Sequence, residues 1–220
     1  MMAEGQYQVT DRRPIAARRL ATMHRLAGLL VRAGVSANSI SVAGMICCVL
    51  AGGCLWRTAS AGPWTGRVLW LAAAALVQLR LLANLLDGMV AIASGTASAL
   101  GELFNDAPDR VSDAATFIGL GFAAGGQPTL GWSAAMLSVM TAYVRLLGKS
   151  AGAGSDFRGP MAKQQRMFLV TVLSVLCAVI PAQAHDWKLA AWCLGIICAG
   201  CLITMGRRLA GIASNLRRAA

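Results

Sequence analysis

The sequence predicts an all-α integral membrane protein: six transmembrane helices, with a basic interfacial helix at each end. Three observations carry that expectation. Of the 220 residues, 57% are hydrophobic and only 13% charged, against about 45–50% and about 25% in ordinary soluble domains. The mean hydropathy is +0.61, and the apolar residues gather in runs approaching the about 20 helical residues that cross a bilayer. Most of the basic residues behind the net charge of +11 flank those runs. That is the pattern of a membrane topology and not of a nucleic-acid surface.

Residues 1–35 carry Arg12, Arg13, Arg18, Arg19, Arg25 and Arg32 without a long apolar core. They read as a basic segment lying on the membrane surface, not as a cleavable signal. Residues 36–205 form the membrane domain. Its spans are expected at about Ser39–Trp56, Val68–Ile92, Gly101–Ala124, Leu130–Leu147, Met167–Ile180 and Trp187–Met205. Breakers fall between them: Pro63 and Gly66, Gly125 to Pro128, Gly148 to Pro160, and Pro181. Residues 206–220, with Arg207, Arg208, Arg217 and Arg218, read as a second basic surface helix.

With the N-terminus inside, fifteen basic residues lie in inner segments and three, Arg57, Arg67 and Lys188, in outer ones. The positive-inside rule then puts both termini in the cytoplasm. The seven cysteines all fall within apolar runs and make no metal-binding spacing with the two histidines, so they read as small buried or lipid-facing side chains.

Five of the nine acids occur between residues 87 and 113: Asp87, Glu102, Asp106, Asp109 and Asp113. A carboxylate at the centre of a lone membrane helix costs about 2.5–3.5 kcal/mol, so such a cluster calls for a wet or cation-filled cavity. At 3.6 residues per turn, residues 102, 106, 109 and 113 form one stripe on the third span, with Asn105 beside it. Asn84 and Asp87 share a face near the inner end of the second span. Together these stripes suggest an oxygen-lined pocket for hard divalent cations. Pro108 either kinks the third span or marks its start, in which case Glu102 to Asp106 would be loop ligands. A solute carrier would spread its acids across the bilayer and show an inverted repeat; neither is seen.

Asn84-Leu85-Leu86-Asp87-Gly88-Met89-Val90-Ala91-Ile92, followed after eight residues by Gly101, Asn105 and Asp109, resembles the motif of the CDP-alcohol phosphotransferases. That motif reads D-x-x-D-G-x-x-A-R, then G-x-x-x-D-x-x-x-D. Asn38-Ser39-Ile40-Ser41 resembles the segment that opens the family's first span, and Asp109-Arg110-Val111-Ser112 its sequence around the last aspartate. The resemblance covers about residues 36 to 205. Three positions depart from it: asparagine replaces aspartate at 84 and 105, and isoleucine replaces arginine at 92.

The resemblance implies a membrane transferase of phospholipid biosynthesis, moving a phosphatidyl group from a CDP-activated lipid such as CDP-diacylglycerol to an alcohol, with release of CMP. It implies two Mg2+ or Mn2+ ions, held here by Asn84, Asp87, Asn105, Asp106 and Asp109, with Asp109 as the base. An asparagine offers a carbonyl oxygen but no charge, so the matched positions carry two negatives instead of four; Asp106 and Asp113, each within a turn of a matched ligand, are expected to restore the count, and Asp113 joins Asp109 as a catalytic candidate. Gly88, Ala91, Ser98 and Gly101 fall where the family approaches the nucleotide, and Arg145, Lys149, Lys163 and Arg166 where it binds the acceptor, often through a phosphate. Arg80 or Arg110 would stand in for the missing arginine at 92. The bilayer and a second copy of the chain are the implied partners; nucleic acid is not. The asparagines also motivate a second reading, a catalytically altered relative that binds nucleotide or lipid beside lipid-synthesis enzymes.

Overall fold

A polar helix can sit inside a membrane protein only if other helices shield it from lipid, and that requirement organises the bundle. The computed structural model describes residues 20–180 and 185–219. Arg12, Arg13, Arg18 and Arg19 of the expected surface segment lie outside them, as does Pro181. Among the described residues seven α-helices follow one another: α1 Ala21–Arg32, α2 Ala37–Arg57, α3 Pro63–Ala93, α4 Ala99–Gly121, α5 Pro128–Ser150, α6 Lys163–Val179 and α7 Leu189–Ala219. A 3-10 turn, Thr58–Ser60, extends α2. Among the described residues there is no strand.

Four of these helices, α2 with its 3-10 turn, α3, α5 and α7, are long and apolar enough to cross a bilayer, and the chain is a multi-pass membrane protein. Helices α4 and α6 stand where the third and fifth spans are expected but fall short of that standard. The first half of α4 is lined with charge, and α6 has only 17 residues.

Helix α4 threads between α2 and α5. Its Phe117 and Leu120 are buried with Leu55 of α2, Val77 of α3, Val170 of α6 and Leu194 and Ile197 of α7. Glycines set the closeness of that packing. A Cβ on Gly119 would stand 2.2 Å from the carbonyl oxygen of Gly52, and one on Gly52 would stand 2.3 Å from that of Ala115. Gly121 and Gly131 repeat the arrangement between α4 and α5, where a Cβ on either would lie 2.8 Å from the other's Cα. Small residues let helix backbones approach closely within membranes.

The ends are set by local chemistry. Ser36 and Ser98 accept hydrogen bonds from the amides of Ser39 and Gly101, capping α2 and α4. Pro63 starts α3 at its first helical position, five residues before the expected span. Helix α4 runs through Pro108, so the stripe is helical on both sides of it. Its start at Ala99 makes residues 102 to 106 helical rather than loop. Helix α1 lays Ala27 against Leu85, Leu86, Met89 and Val90, docking on the C-terminal half of α3.

The C-terminal residues depart from expectation. No separate surface helix forms, because nothing breaks the chain after Met205 and α7 continues to Ala219. Its 31 residues span about 46 Å at 1.5 Å each, well beyond the about 30 Å of a bilayer core. All seven cysteines are free thiols, most of them packed into the apolar interior.

Gly119→Ala should lower the thermal unfolding midpoint of the protein in detergent by several degrees, since α2 and α4 must part to admit the methyl. A Cβ on Gly53 of α2 meets nothing within 4 Å, so Gly53→Ala should leave the midpoint unchanged or raise it slightly.

Candidate active site

The C-terminal ends of α3 and α5 and the N-terminal ends of α4 and α6 enclose a cavity of about 1130 Å³. Asn84, Asp87, Asn105, Asp106 and Asp109 all line it, as do Gly88, Ala91, Ser98 and Gly101. Both matched halves of the motif therefore face one space. Among the described residues, six cationic side chains, Arg110, Arg145, Lys149, Lys163, Arg166 and Arg208, line it with three carboxylates, and even with Arg166 paired to Asp113 the cations are in excess.

Asp109 is the hub. Its Oδ1 accepts hydrogen bonds from the Arg80 guanidinium of α3 and from Lys163 Nζ at the start of α6. The Asn84 amide donates to both oxygens, at 3.0 Å to Oδ1 and 3.1 Å to Oδ2. Oδ2 thus bears only the amide, and remains the oxygen open to a further donor. Arg80 is wholly buried and does not line the cavity; Nε and Nη1 of its guanidinium have no hydrogen-bond partner. Burying a guanidinium requires an anion, and Asp109 is the one it touches.

The other acids have different surroundings. Asp87 is buried; Ser41 Oγ donates to its Oδ2 at 2.6 Å and the Gly88 amide to its Oδ1 at 2.5 Å. Asp106 pairs with Arg145 at 3.1 Å and with Arg110 at 3.3 Å. Asp113 accepts from Arg166 at 2.6 Å, with Lys163 Nζ 3.8 Å away, and does not line the cavity. Of Glu102 only the backbone is described. In the loop between α5 and α6, burial alone pushes the Asp156 carboxyl up. Hydrogen bonds from the side chain and amide of Arg158, with the nearby charges of Arg158 and Arg208, hold it below the usual carboxylate range.

The structure thus keeps Asp113 from the place expected of it. It is 1% exposed and neutralised by Arg166, so it adds no charge to the cavity. Asp106 lines the cavity with its charge already shared between two arginines. Arg80 does not replace the arginine missing at 92, because it lies behind Asp109 and not in the cavity. Arg110 does line the cavity. Lys163 meets Asp109 directly, whereas Arg166 is spent on Asp113 and the Met161 carbonyl.

Two contributors escaped the sequence reading. Ser41 lies in a matched segment, but nothing local marks it as the partner of a residue 46 positions away. Arg208 reads as one of four tail arginines, yet it lines the cavity and donates to the Thr141 and Arg158 carbonyls.

The chain is 32% identical over 145 residues to the archaetidylinositol phosphate synthase of Aeropyrum pernix, covering 65% of this chain and 70% of that protein. It belongs to the CDP-alcohol phosphotransferase family. Membership makes it a membrane-bound phosphotransferase. The phosphatidylinositol phosphate synthase of Mycobacteroides abscessus is 26% identical over 202 residues, 86% of this chain and 83% of that one. The same fold is seen in the phosphatidylinositol phosphate synthase of Mycobacterium tuberculosis. Its structure with CDP-DAG bound aligns at a TM-score of 0.72, with 18% identity, over 88% of this chain and 94% of that one. Its structure with manganese and citrate aligns at 0.71, with 19% identity, over 86% and 88%. No protein-family model matches the chain.

The manganese complex of that neighbour makes a cation test of this cavity pertinent. Among the described residues, no three Asp, Glu, His or Cys side chains converge as ligands. The oxygens left for a hard cation are those of Asp87, which makes no salt bridge among the described residues, and Asn105 Oδ1, which is buried without a hydrogen-bond partner. These fit one divalent ion. They do not fit two, because Asp109 is already neutralised by side chains.

Asp109→Asn should destabilise the protein by about 3–5 kcal/mol, because it strands the buried Arg80 charge. Adding Arg80→Leu to it should recover much of the loss. The check is a double-mutant cycle on thermal midpoints in detergent, and equal midpoints for the single and double variants would contradict the pairing.

Proposed function

We propose that this family member transfers a phosphatidyl group from a CDP-activated lipid, CDP-diacylglycerol or a close analogue, to a phosphorylated polyol and releases CMP. One observation carries the reading: the two halves of a phosphotransferase motif face a single cavity whose walls are predominantly cationic. A diphosphate and a phosphorylated acceptor are the polyanions such walls suit. The Mycobacteroides abscessus and Aeropyrum pernix relatives, both inositol phosphate lipid synthases, support the choice of acceptor.

Gly88, Ala91, Ser98 and Gly101 form the small-residue wall against which the nucleotide lies. Ser98 also caps α4 through Gly101 and so fixes that wall's shape. Arg145, Lys149 and Lys163, with Arg208, receive the acceptor's phosphate. Asp109 Oδ2, the oxygen free of cations, accepts the proton of the acceptor hydroxyl as it attacks phosphorus. Asp106 holds Arg145 and Arg110 at the rim. Asp87 and Asn105 would hold a divalent cation, Mg2+ or Mn2+, which when bound neutralises diphosphate charge. The six-span topology, the cytoplasmic placement of the cavity and both termini, and a homodimer complete the proposal; the basic flanks support the first two.

The test is CMP release by the purified protein in detergent, given CDP-diacylglycerol, Mn2+ or Mg2+, and a panel of acceptors. Release is expected with a phosphorylated polyol and not with its unphosphorylated form. Asp87→Asn should lower it by at least about 100-fold. Lys149→Ala should raise the KM for the acceptor about tenfold with little change in kcat. Binding of CMP or lipid without release, while a known relative turns over in parallel, would instead support the altered-relative reading that Asn84 and Asn105 motivate.

A further inference from the structure

Arg80 stands one helical turn before Asn84, outside the matched motif, and is the largest side chain in the bundle that is wholly buried. Room has been left for it. A Cβ on Gly44 of α2 would lie 2.8 Å from Arg80 Nη1 and 3.0 Å from its Cδ, so the smallest residue stands where the guanidinium passes. The charge reaches Asp109, and Lys163 reaches the same oxygen from α6.

The orientation of Asn84 belongs to the same arrangement. Two ligands of one shared cation both turn lone pairs toward it. Here the amide nitrogen of Asn84 donates to both Asp109 oxygens, so the pair bond each other instead of facing a common ion. The charge at Asp109 is met without metal: its one negative faces two positives, Arg80 and Lys163, whereas Asp87 makes no salt bridge among the described residues. A four-aspartate motif would carry four negatives and balance two divalent ions. In the same cavity, Asp87 and the unpartnered Asn105 Oδ1 keep oxygens for one cation.

We propose that the chain has a single-ion centre, in which the side chains of Arg80 and Lys163 take the electrostatic place of a second divalent cation. The asparagines at 84 and 105 are then matched to those side chains and are not signs of a decayed site. Arg80, which does not reach the cavity, is a positioning residue: it holds Asp109 ionised and oriented from behind. Lys163, which lines the cavity, presents its ammonium to the substrate's phosphates. This inference rests on the transferase reading for its purpose, but not for its measurement.

The measurement is the number of Mn2+ ions bound per chain by the full-length protein in detergent without lipid substrate, read from the loss of the free-ion electron paramagnetic resonance signal. One ion is expected, and Asp87→Asn should abolish its binding. Two ions on the unaltered protein, none, or one that survives Asp87→Asn would each overturn the proposal. The triple variant Arg80→Leu/Asn84→Asp/Asn105→Asp should bind two ions; a folded variant that still binds one would overturn the role given to Arg80. The count on the unaltered protein decides the matter even where a variant fails to fold. Failure to release CMP would strike the transferase reading and leave the ion count standing.

Discussion

The contact between Arg80 and Asp109 constrains much of the bundle around it. A guanidinium withdrawn from water in a bilayer-embedded bundle is tolerable only with a carboxylate against it. That carboxylate must lie within reach of the long Arg80 side chain, which passes Gly44 of α2 to meet α4. It must also be screened from lipid, which requires α2 on one side and α5 on the other. Lys163 and Asn84 then arrange themselves around the same oxygens and bring the start of α6 to the cavity. A pair that is weak evidence for stability in itself thereby specifies where four helices stand.

The same constraint explains the division between polar and apolar halves of α4. Toward its N-terminus the helix faces the cavity, and its carboxylates meet arginines and a lysine. Toward its C-terminus Ser112 and Thr116 return their hydroxyls to their own helix, bonding the carbonyls of Pro108 and Ser112 at 2.7 and 2.9 Å. Beyond them glycines take over, and the backbone itself becomes the packing surface against α2 and α5. One helix thus changes from charge pairing to close packing within six turns.

Much of this was legible in the chain. The apolar runs placed the helices α2 to α6 to within about five residues of their ends, because caps and prolines such as Ser36, Ser98 and Pro63 act over a few positions. The motif spacing placed Asn84, Asp87, Asn105 and Asp109 on one wall, since helical periodicity fixes a face without knowledge of the partner. What the chain did not disclose was which charge meets which. Asp106 and Asp113 lie equally near the matched positions, yet Arg166, 53 residues on, claims one, and Arg145 shares the other. Arg80 could be read as a substrate ligand because nothing local tells that Gly44 opens a slot for it behind Asp109. The end of α7 was misplaced for a different reason: a change from apolar to basic composition marks the edge of a membrane but not the end of a helix.

That unbroken last helix ties the cavity to the bilayer's thickness. Arg208 is anchored to the carbonyls of Thr141 and Arg158, on the same rigid rod that carries the lipid-facing Trp192 and Ile196 through the hydrocarbon. With no hinge between them, a thicker or thinner bilayer that tilts the rod to cover its apolar length must also move the arginine near its C-terminal end. The acyl chains around the protein therefore become part of what sets the shape of the cavity, and the composition of the surrounding lipid acts on its cationic wall.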